Sequence, residues 1–322
     1  MDKKDLRIVF LGTPEFAVES LEAILAGGYN VVGVVTMPDK PAGRGHKLFQ
    51  SPVKLCALKH GLRLMQPVSL KDPAFVDELR SLGADLFIVI AFRMLPEVAW
   101  TMPRLGTFNL HASLLPRYRG AAPINRAIMN GDTETGVTTF FLRHDIDTGD
   151  ILAQERVEIL PSDNVGTVHD RLMHIGARLT LKTISDILAG TVIPVPQERL
   201  LGGKEATTAP KIFKEDCEIH WNLPALQIHN LVRGLSPYPG AWCTVVDDAG
   251  NESMLKVFET ALKPSDAPSL TSGELLIDSG HLFAGTADGT VEILSLRPQG
   301  KRRMPAADFL RGLRSVIRLA RL

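Results

Sequence analysis

The stretch that most restricts how this chain can fold is FNLHASLLPRYRG, residues 108–120. Its first four residues alternate as a strand does, with side chains on opposite faces at period two. Phe108 and Leu110 point to one side, into a core, while Asn109 and His111 share the other side. Strand geometry stops at Ala112-Ser113, and Pro116 and Gly120 mark a loop. A carboxamide and an imidazole at the carboxyl end of a buried strand lie where open α/β sheets bind ligands. By itself the pair fits two readings: a hydrogen-bonded core histidine beside a turn asparagine, or two groups of a reacting site.

The chain ahead of this stretch supplies a sheet. LRIVFL (6–11) reads as a buried strand, Pro14 as the first turn of a helix ending at Gly27-Gly28, and NVVGVVT (30–36) as a second strand. Strand, helix and strand in about 30 residues make a βαβ unit. The turn Gly12-Thr13-Pro14-Glu15-Phe16 lacks the second and third glycines that admit a pyrophosphate, which argues against a dinucleotide site. Ser51-Pro52 and Asp72-Pro73 each read as a cap followed by proline at a helix start, and DLFIVIA (85–91) as a central parallel strand. The spacing predicts a doubly wound, mostly parallel Rossmann-like sheet. Between strand 30–36 and Ser51 lies MPDKPAGRGHKLFQS (37–51), with Lys40, Arg44, His46 and Lys47. It fits a solvated connection or a basic arm for a phosphate backbone.

Beyond residue 120 come a helix at 123–130, a strand at 135–142, and the turn RHDIDTGDI (143–151) with Asp145 and Asp147. Carboxylates in such turns commonly cap backbone N–H groups. A strand at 151–160 and a helix at 164–188 follow, and residues 191–210 carry three prolines and two glycines without helical period, as a linker does. Short strand-like runs around 217–221, 241–247, 254–261, 273–278 and 290–297, with one helix at 223–234, suggest a small OB-like β-barrel. At 322 residues the chain has room for two domains. The domains read as 1–190, with the inserted basic loop at 37–51, and 211–322, joined by 191–210.

Charge is balanced at 36 basic against 36 acidic residues, so only local clusters speak for a polyanionic partner. One such cluster is the tail, where Arg297, Lys301, Arg302, Arg303, Arg311, Arg314, Arg318 and Arg321 face a single acid, Asp308. The period predicts a helix from Pro305 with Leu310, Leu313, Ile317 and Ala320 on one stripe and four arginines on the next. No apolar run approaches the ~20 residues of a membrane span, and the amino terminus has no signal-peptide layout. Cys56, Cys217 and Cys243 are isolated, which argues for a reducing cytoplasm without a disulfide framework or structural zinc.

Taken together, Asn109-Leu-His111-Ala-Ser113-Leu-Leu-Pro116-Arg-Tyr-Arg-Gly120 and Asp147 in HDIDTGD resemble the folate-dependent formyltransferase family. FLGTPEFA (10–17), PDKPAGRGHKL (38–48), APKIFKED (209–216), LSPYPGAW (235–242) and DFLRG (308–312) resemble the branch that acts on methionyl-tRNA. The resemblance implies the formyltransferase fold and a tRNA-binding role for 211–322. It implies 10-formyltetrahydrofolate as cosubstrate, no metal and no permanently bound cofactor. The acceptor would be initiator methionyl-tRNA, and the protein would act as a monomer. By the same resemblance Asn109, His111 and Asp147 are catalytic, and Ser113, Leu114, Leu115 and Pro116 hold the folate, with Ile88–Phe92 near its pterin. Lys40, Arg44, Lys47, Lys301, Arg302 and Arg303 would contact tRNA. The alternatives are the same transfer to a small amine such as a nucleotide amino-sugar, or a non-catalytic tRNA-binding protein.

Overall fold

Strand β1 (Arg7–Gly12) is buried after its first residue, and the first sheet is built outward from it. The structure is a computed structural model that describes residues 2–42, 47–203, 205–262, 270–313 and 317–320. Strands β2 (Asn30–Val35), β3 (Leu64–Met65), β4 (Leu86–Ile90), β5 (Thr107–His111), β6 (Glu134–Phe141) and β7 (Ile151–Glu158) complete the sheet in the order β7-β6-β5-β4-β1-β2-β3. The pairs β1–β2, β1–β4, β2–β3 and β4–β5 are parallel, and β5–β6 is antiparallel. Strand order reverses between β1 and β4, which puts the ligand crevice of such a sheet at the carboxyl ends of these strands.

Helix starts follow the local chemistry. Ser51 Oγ accepts from Lys54 N at 3.0 Å to begin α2 (Pro52–Lys59), and Asp72 accepts from Ala74 N at 3.0 Å to begin α3 (Pro73–Ser81). Pro14 is the extended N-cap of α1 (Glu15–Ala26) rather than its first turn. A short α4 spans Glu97–Trp100, and the long α6 spans Val165–Ala189. Thr183 of α6 meets Thr139, the register partner of Leu110, through a 2.8 Å hydroxyl contact. The Leu110 face of β5 is thus covered by α6. Asn109 lies on the opposite face, in register with Val89, which packs with Phe75, Val76 and Leu79 of α3. Within the loop read as a basic arm, Lys40–Ala42 pairs antiparallel with Lys47–Phe49.

The chain divides into two compact units, Met1–Gly120 with Thr135–Glu158 and His169–Ala209, and Ala121–Glu134 with Ile159–Val168 and Pro210–Leu322. In the second, β8 (Ala241–Asp247), β9 (Glu252–Leu262), β10 (Leu275–Asp278), β11 (His281–Gly285), β12 (Thr290–Pro298) and β13 (Ile317–Leu319) follow one another in the order β10-β11-β12-β9-β8-β13. This antiparallel, barrel-like sheet closes over Trp221, Val257, Leu296 and the apolar side of α7 (Ala225–Leu235), with Ile228, Val232 and Leu235. A further helix, α5 (Pro123–Met129), also belongs to this unit.

Two expectations for this unit are corrected, and a third, the strand-like run at 273–278, is met by β10. The tail is not one helix: α8 covers only Ala306–Arg311 and stops at Gly312, and β13 then pairs with β8 through Val245↔Leu319 and Asp247↔Ile317. An open strand edge has unpaired N–H and C=O groups to satisfy, and here that requirement outweighs the helical period of the side chains. Arg314 and Arg321 lie outside the described residues. Residues 217–221 are not a strand but a 3-10 turn at Glu215–Cys217 followed by a single bridge between Glu218 and Trp242. The run at 273–278 is the first half of a hairpin, with β11 as its second half. Its two-residue turn has positive φ at both Ser279 (51°) and Gly280 (84°), as the twist of a tight hairpin demands.

Candidate active site

Register and chain reversal assemble the central group. Asn109 and His111 leave the same face of β5, and His111 sits opposite Thr138 of β6. Residues 142–150 then fold back so that Asp147 Oδ2 stands 3.7 Å from His111 Nδ1, with the two side chains only 11% and 8% exposed. The same carboxylate oxygen accepts from Gly120 N at 2.8 Å. His111 Nε2 lies 2.9 Å from the Tyr118 carbonyl, which can only accept, so Nε2 carries a hydrogen. Nδ1 is thereby left facing the carboxylate, beyond direct hydrogen-bond range. Asn109 is half-buried, and its Oδ1 takes no hydrogen bond from the described residues. An unsatisfied buried amide oxygen costs about 1–3 kcal/mol and is tolerated chiefly where a group has another use.

The backbone around this group is unusual in the same place. Four described non-glycine residues have positive φ, and three of them are Ala91 (46°) after β4, Tyr118 (59°) and Asp147 (55°). Each such residue costs on the order of 1–3 kcal/mol, and such costs cluster at functional sites. Two glycines are fixed by close approach. A Cβ on Gly149 would lie 1.6 Å from the Phe141 carbonyl oxygen, and one on Gly120, whose φ is 124°, would lie 2.7 Å from the Ala209 carbonyl oxygen.

The loop expected to hold a folate is internally braced. Ser113 is fully buried and donates from Oγ to the Arg117 carbonyl at 2.6 Å, so its hydroxyl is committed within the loop. Thr138 Oγ1 donates to Ser113 O at 2.6 Å while accepting from Leu115 N at 3.2 Å and Gln154 Nε2 at 2.8 Å. Leu115 and Pro116 are buried and Leu114 is half-buried. A cavity of about 420 Å³ opens beside the Asp147 turn, lined by Trp100, Arg143, His144, Asp145, Thr148 and Glu198. That volume suits a drug-sized ligand. None of Asn109, His111 and Asp147 lines it, whereas Asp145 and Thr148 flank Asp147 in sequence.

Among residues expected to meet tRNA, Lys40, Lys301, Arg302 and Arg303 are exposed. Arg44 lies outside the described residues, and of Lys47 the backbone pairing with Ala42 is described. Sequence reading missed a cross-strand row on the barrel. Trp242, Lys256 and Arg297 are register partners on β8, β9 and β12. Lys214 lies over the Trp242 ring at 5.5 Å, and the Arg297 and Arg303 guanidinium groups lie over Phe258 at 5.6 and 4.9 Å. Burial, and then the Arg297 charge, hold the Lys256 ammonium below the usual lysine range. The signal for this row was the alternation along each strand, but only register brings the three side chains together.

Among the described residues, Glu22, Cys56 and His60 are the group whose donor atoms lie within 4.8 Å of one another. Their valences are already used, with His60 Nε2 at 2.8 Å and Lys59 Nζ at 2.9 Å from the Glu22 carboxylate. Burial, then the Glu22 charge, push the Cys56 thiol up to about 12. No helix among the described residues is long and apolar enough to cross a membrane.

Residues 6–184 match the family model described as formyl transferase, and residues 211–314 match the one described as formyl transferase, C-terminal domain. A methionyl-tRNA formyltransferase of Phocaeicola vulgatus is 58% identical over 318 residues, covering 98% of both chains. One of Bacteroides fragilis is 56% identical over 313 residues, covering 97% of this chain and 96% of its own. The fold is shared with an N-formyltransferase of Helicobacter canadensis, solved with folinic acid and dTDP-3-aminofucose. That match has a TM-score of 0.67 and 19% identity, covering 93% of this chain and all of the other.

Proposed function

The chain belongs to the methionyl-tRNA formyltransferase family, and from that membership we propose how its groups divide the work. It transfers a formyl group to the α-amino group of methionine carried on initiator tRNA. The donor is 10-formyltetrahydrofolate, and the product N-formylmethionyl-tRNA serves translation initiation. The observation that carries the catalytic assignment is the return of Asp147 to within 3.7 Å of a histidine that shares a strand face with Asn109.

In the reaction the amine nitrogen bonds to the formyl carbon, the carbonyl oxygen becomes negative, and the bond to the folate nitrogen then breaks. The amine gives up a proton and the departing nitrogen takes one. Asn109 donates to the oxyanion, a preorganised contact typically worth ~2.7–4 kcal/mol. His111, held by Tyr118 at Nε2, has Nδ1 as the position that can carry the moving proton, and the Asp147 carboxylate stands 3.7 Å from that nitrogen. Residues 113–116 form the donor side of the site, and the cavity beside the Asp147 turn lies next to it in sequence through Asp145 and Thr148. On the second unit, the row Trp242–Lys256–Arg297 with Arg303 and its basic neighbours follows the tRNA backbone. Such contacts make affinity fall steeply with salt. Charged tRNA is a cytoplasmic substrate, and Cys56, Cys217 and Cys243, all free thiols, suit that compartment.

The test offers charged initiator tRNA, elongator methionyl-tRNA and a nucleotide amino-sugar to the wild type and to His111→Ala, each with the formyl donor. Initiator tRNA is the preferred acceptor, and His111→Ala lowers kcat by at least ~100-fold while tRNA affinity holds. Wild-type turnover in His111→Ala, or preference for the sugar, refutes the assignment.

A further inference from the structure

We infer that Gln197, in the stretch that reads as a linker, is a positioning residue for Asp147. The proposal rests on the reading of Asp147 and His111 as catalytic. Gln197 opens a 3-10 turn, Gln197–Leu200, and is fully buried. Its amide has two hydrogens to give and two lone pairs to fill, and all four are used. Nε2 donates to the Asp147 carbonyl and to the Gly149 carbonyl, both at 2.8 Å. Oε1 accepts from Arg119 Nε at 3.0 Å and from Arg119 Nη2 at 2.8 Å.

These bonds close a ring. Arg119 precedes Gly120, whose N–H is the donor to the Asp147 carboxylate, so Gln197 grips the aspartate by its backbone and, through Arg119, the strand that holds its side chain. Asp147 holds a φ of 55°, the left-handed region, which aspartate tolerates better than most residues but still at a cost that the surrounding bonds must meet. Released, the residue relaxes to negative φ and carries its carboxylate away from His111. The same stretch also steadies the imidazole. Thr207 Oγ1 accepts from Tyr118 N at 2.8 Å, Thr207 O accepts from Arg119 N at 2.9 Å, and Thr208–Ala209 pairs with Arg119–Gly120. The Tyr118 carbonyl is the group that fixes His111 Nε2. Val195 and Ile151 exchange two 2.8 Å backbone bonds that anchor the stretch to the start of β7. A chain segment that merely connected two units would need none of these contacts.

The experiment is a double-mutant cycle on the full chain, with kcat and both KM values measured for Gln197→Glu, Asp147→Asn and the pair. Gln197→Glu keeps size and the Arg119 contact but replaces Nε2, with its two donated bonds, by one oxygen that faces two carbonyls. Gln197→Met serves as a second, uncharged variant. Both single changes at 197 lower kcat by about 10–100-fold, the scale of a misplaced catalytic group, with KM for the tRNA acceptor within ~2-fold of wild type. In the Asp147→Asn background Gln197→Glu lowers kcat by less than ~3-fold, because it acts through a carboxylate already gone. Wild-type kcat in a variant at 197, an additive cycle, or failure of both 197 variants to fold overturns the inference. If Asp147→Asn alone keeps wild-type kcat, the catalytic reading beneath it fails instead.

Discussion

Thr138 gives a sharp test of how the 113–116 loop is held. Its hydroxyl is fully buried and fills every hydrogen-bonding position it has, donating to Ser113 O and accepting from Leu115 N and Gln154 Nε2. Thr138→Val keeps the volume and removes all three bonds. Gln154 Nε2 retains its 2.8 Å bond to Leu115 O and loses little. Ser113 O and Leu115 N are left in a buried site without this partner, each at about 1–3 kcal/mol. The relaxation open to a short loop recovers part of this, so the expected loss is about 2–4 kcal/mol. In a unit of this size that lowers the thermal midpoint by roughly 5–10 °C. Because the loop and not the catalytic groups is disturbed, KM for the formyl donor rises while that for tRNA holds. Thr138→Ser restores the hydroxyl and forfeits one methyl group, about 1 kcal/mol, and recovers most of the donor KM. Differential scanning calorimetry and steady-state kinetics on the three proteins decide the matter. A Thr138→Val protein within ~0.5 kcal/mol of wild type, with unchanged donor KM, refutes the brace.

Two further outcomes follow from the same geometry. Gly149→Ala places a Cβ 1.6 Å from the Phe141 carbonyl oxygen and must push the Asp147 turn off β6, so kcat falls by at least ~10-fold; wild-type kcat at saturating substrates would contradict this. Burial, then the Arg233 charge, hold the His229 imidazole below its ordinary 6.5. The unfolded chain therefore binds the extra proton, and stability present above pH 6.5 is lost as pH falls toward the depressed folded value. The thermal midpoint drops more between about pH 7.5 and 5.5 in wild type than in His229→Gln, and equal drops would exclude this histidine as the cause.

Local chemistry made the first sheet legible. Caps at Ser51 and Asp72 and the apolar run 86–90 reappear as helix starts and a central strand, because each is decided within a few residues. The alternation at 108–111 placed Asn109 and His111 on one face for the same reason. What the sequence hid was settled by partners far along the chain. Nothing near Ile317 signals that it pairs with Asp247, and nothing in PVPQERL signals that Gln197 closes on Asp147. Asp147 itself resembles a capping residue until the fold brings His111 to it; the family resemblance, not the turn, pointed to it. Ser113 looks like a ligand contact in sequence, and only the packed loop reveals its hydroxyl to be spent on Arg117 O.

The strand Ile317–Leu319 is the neighbour of Val245–Asp247 across the 69 positions that separate Asp247 from Ile317. During synthesis the ribosome must therefore deliver residue 319 before β8 gains this partner, while β9 to β12 can already associate. Until then one flank of the newborn domain offers its backbone to any passing strand. Long-range closure of this kind is slow, and an edge left unpaired in the meantime is open to association with other chains.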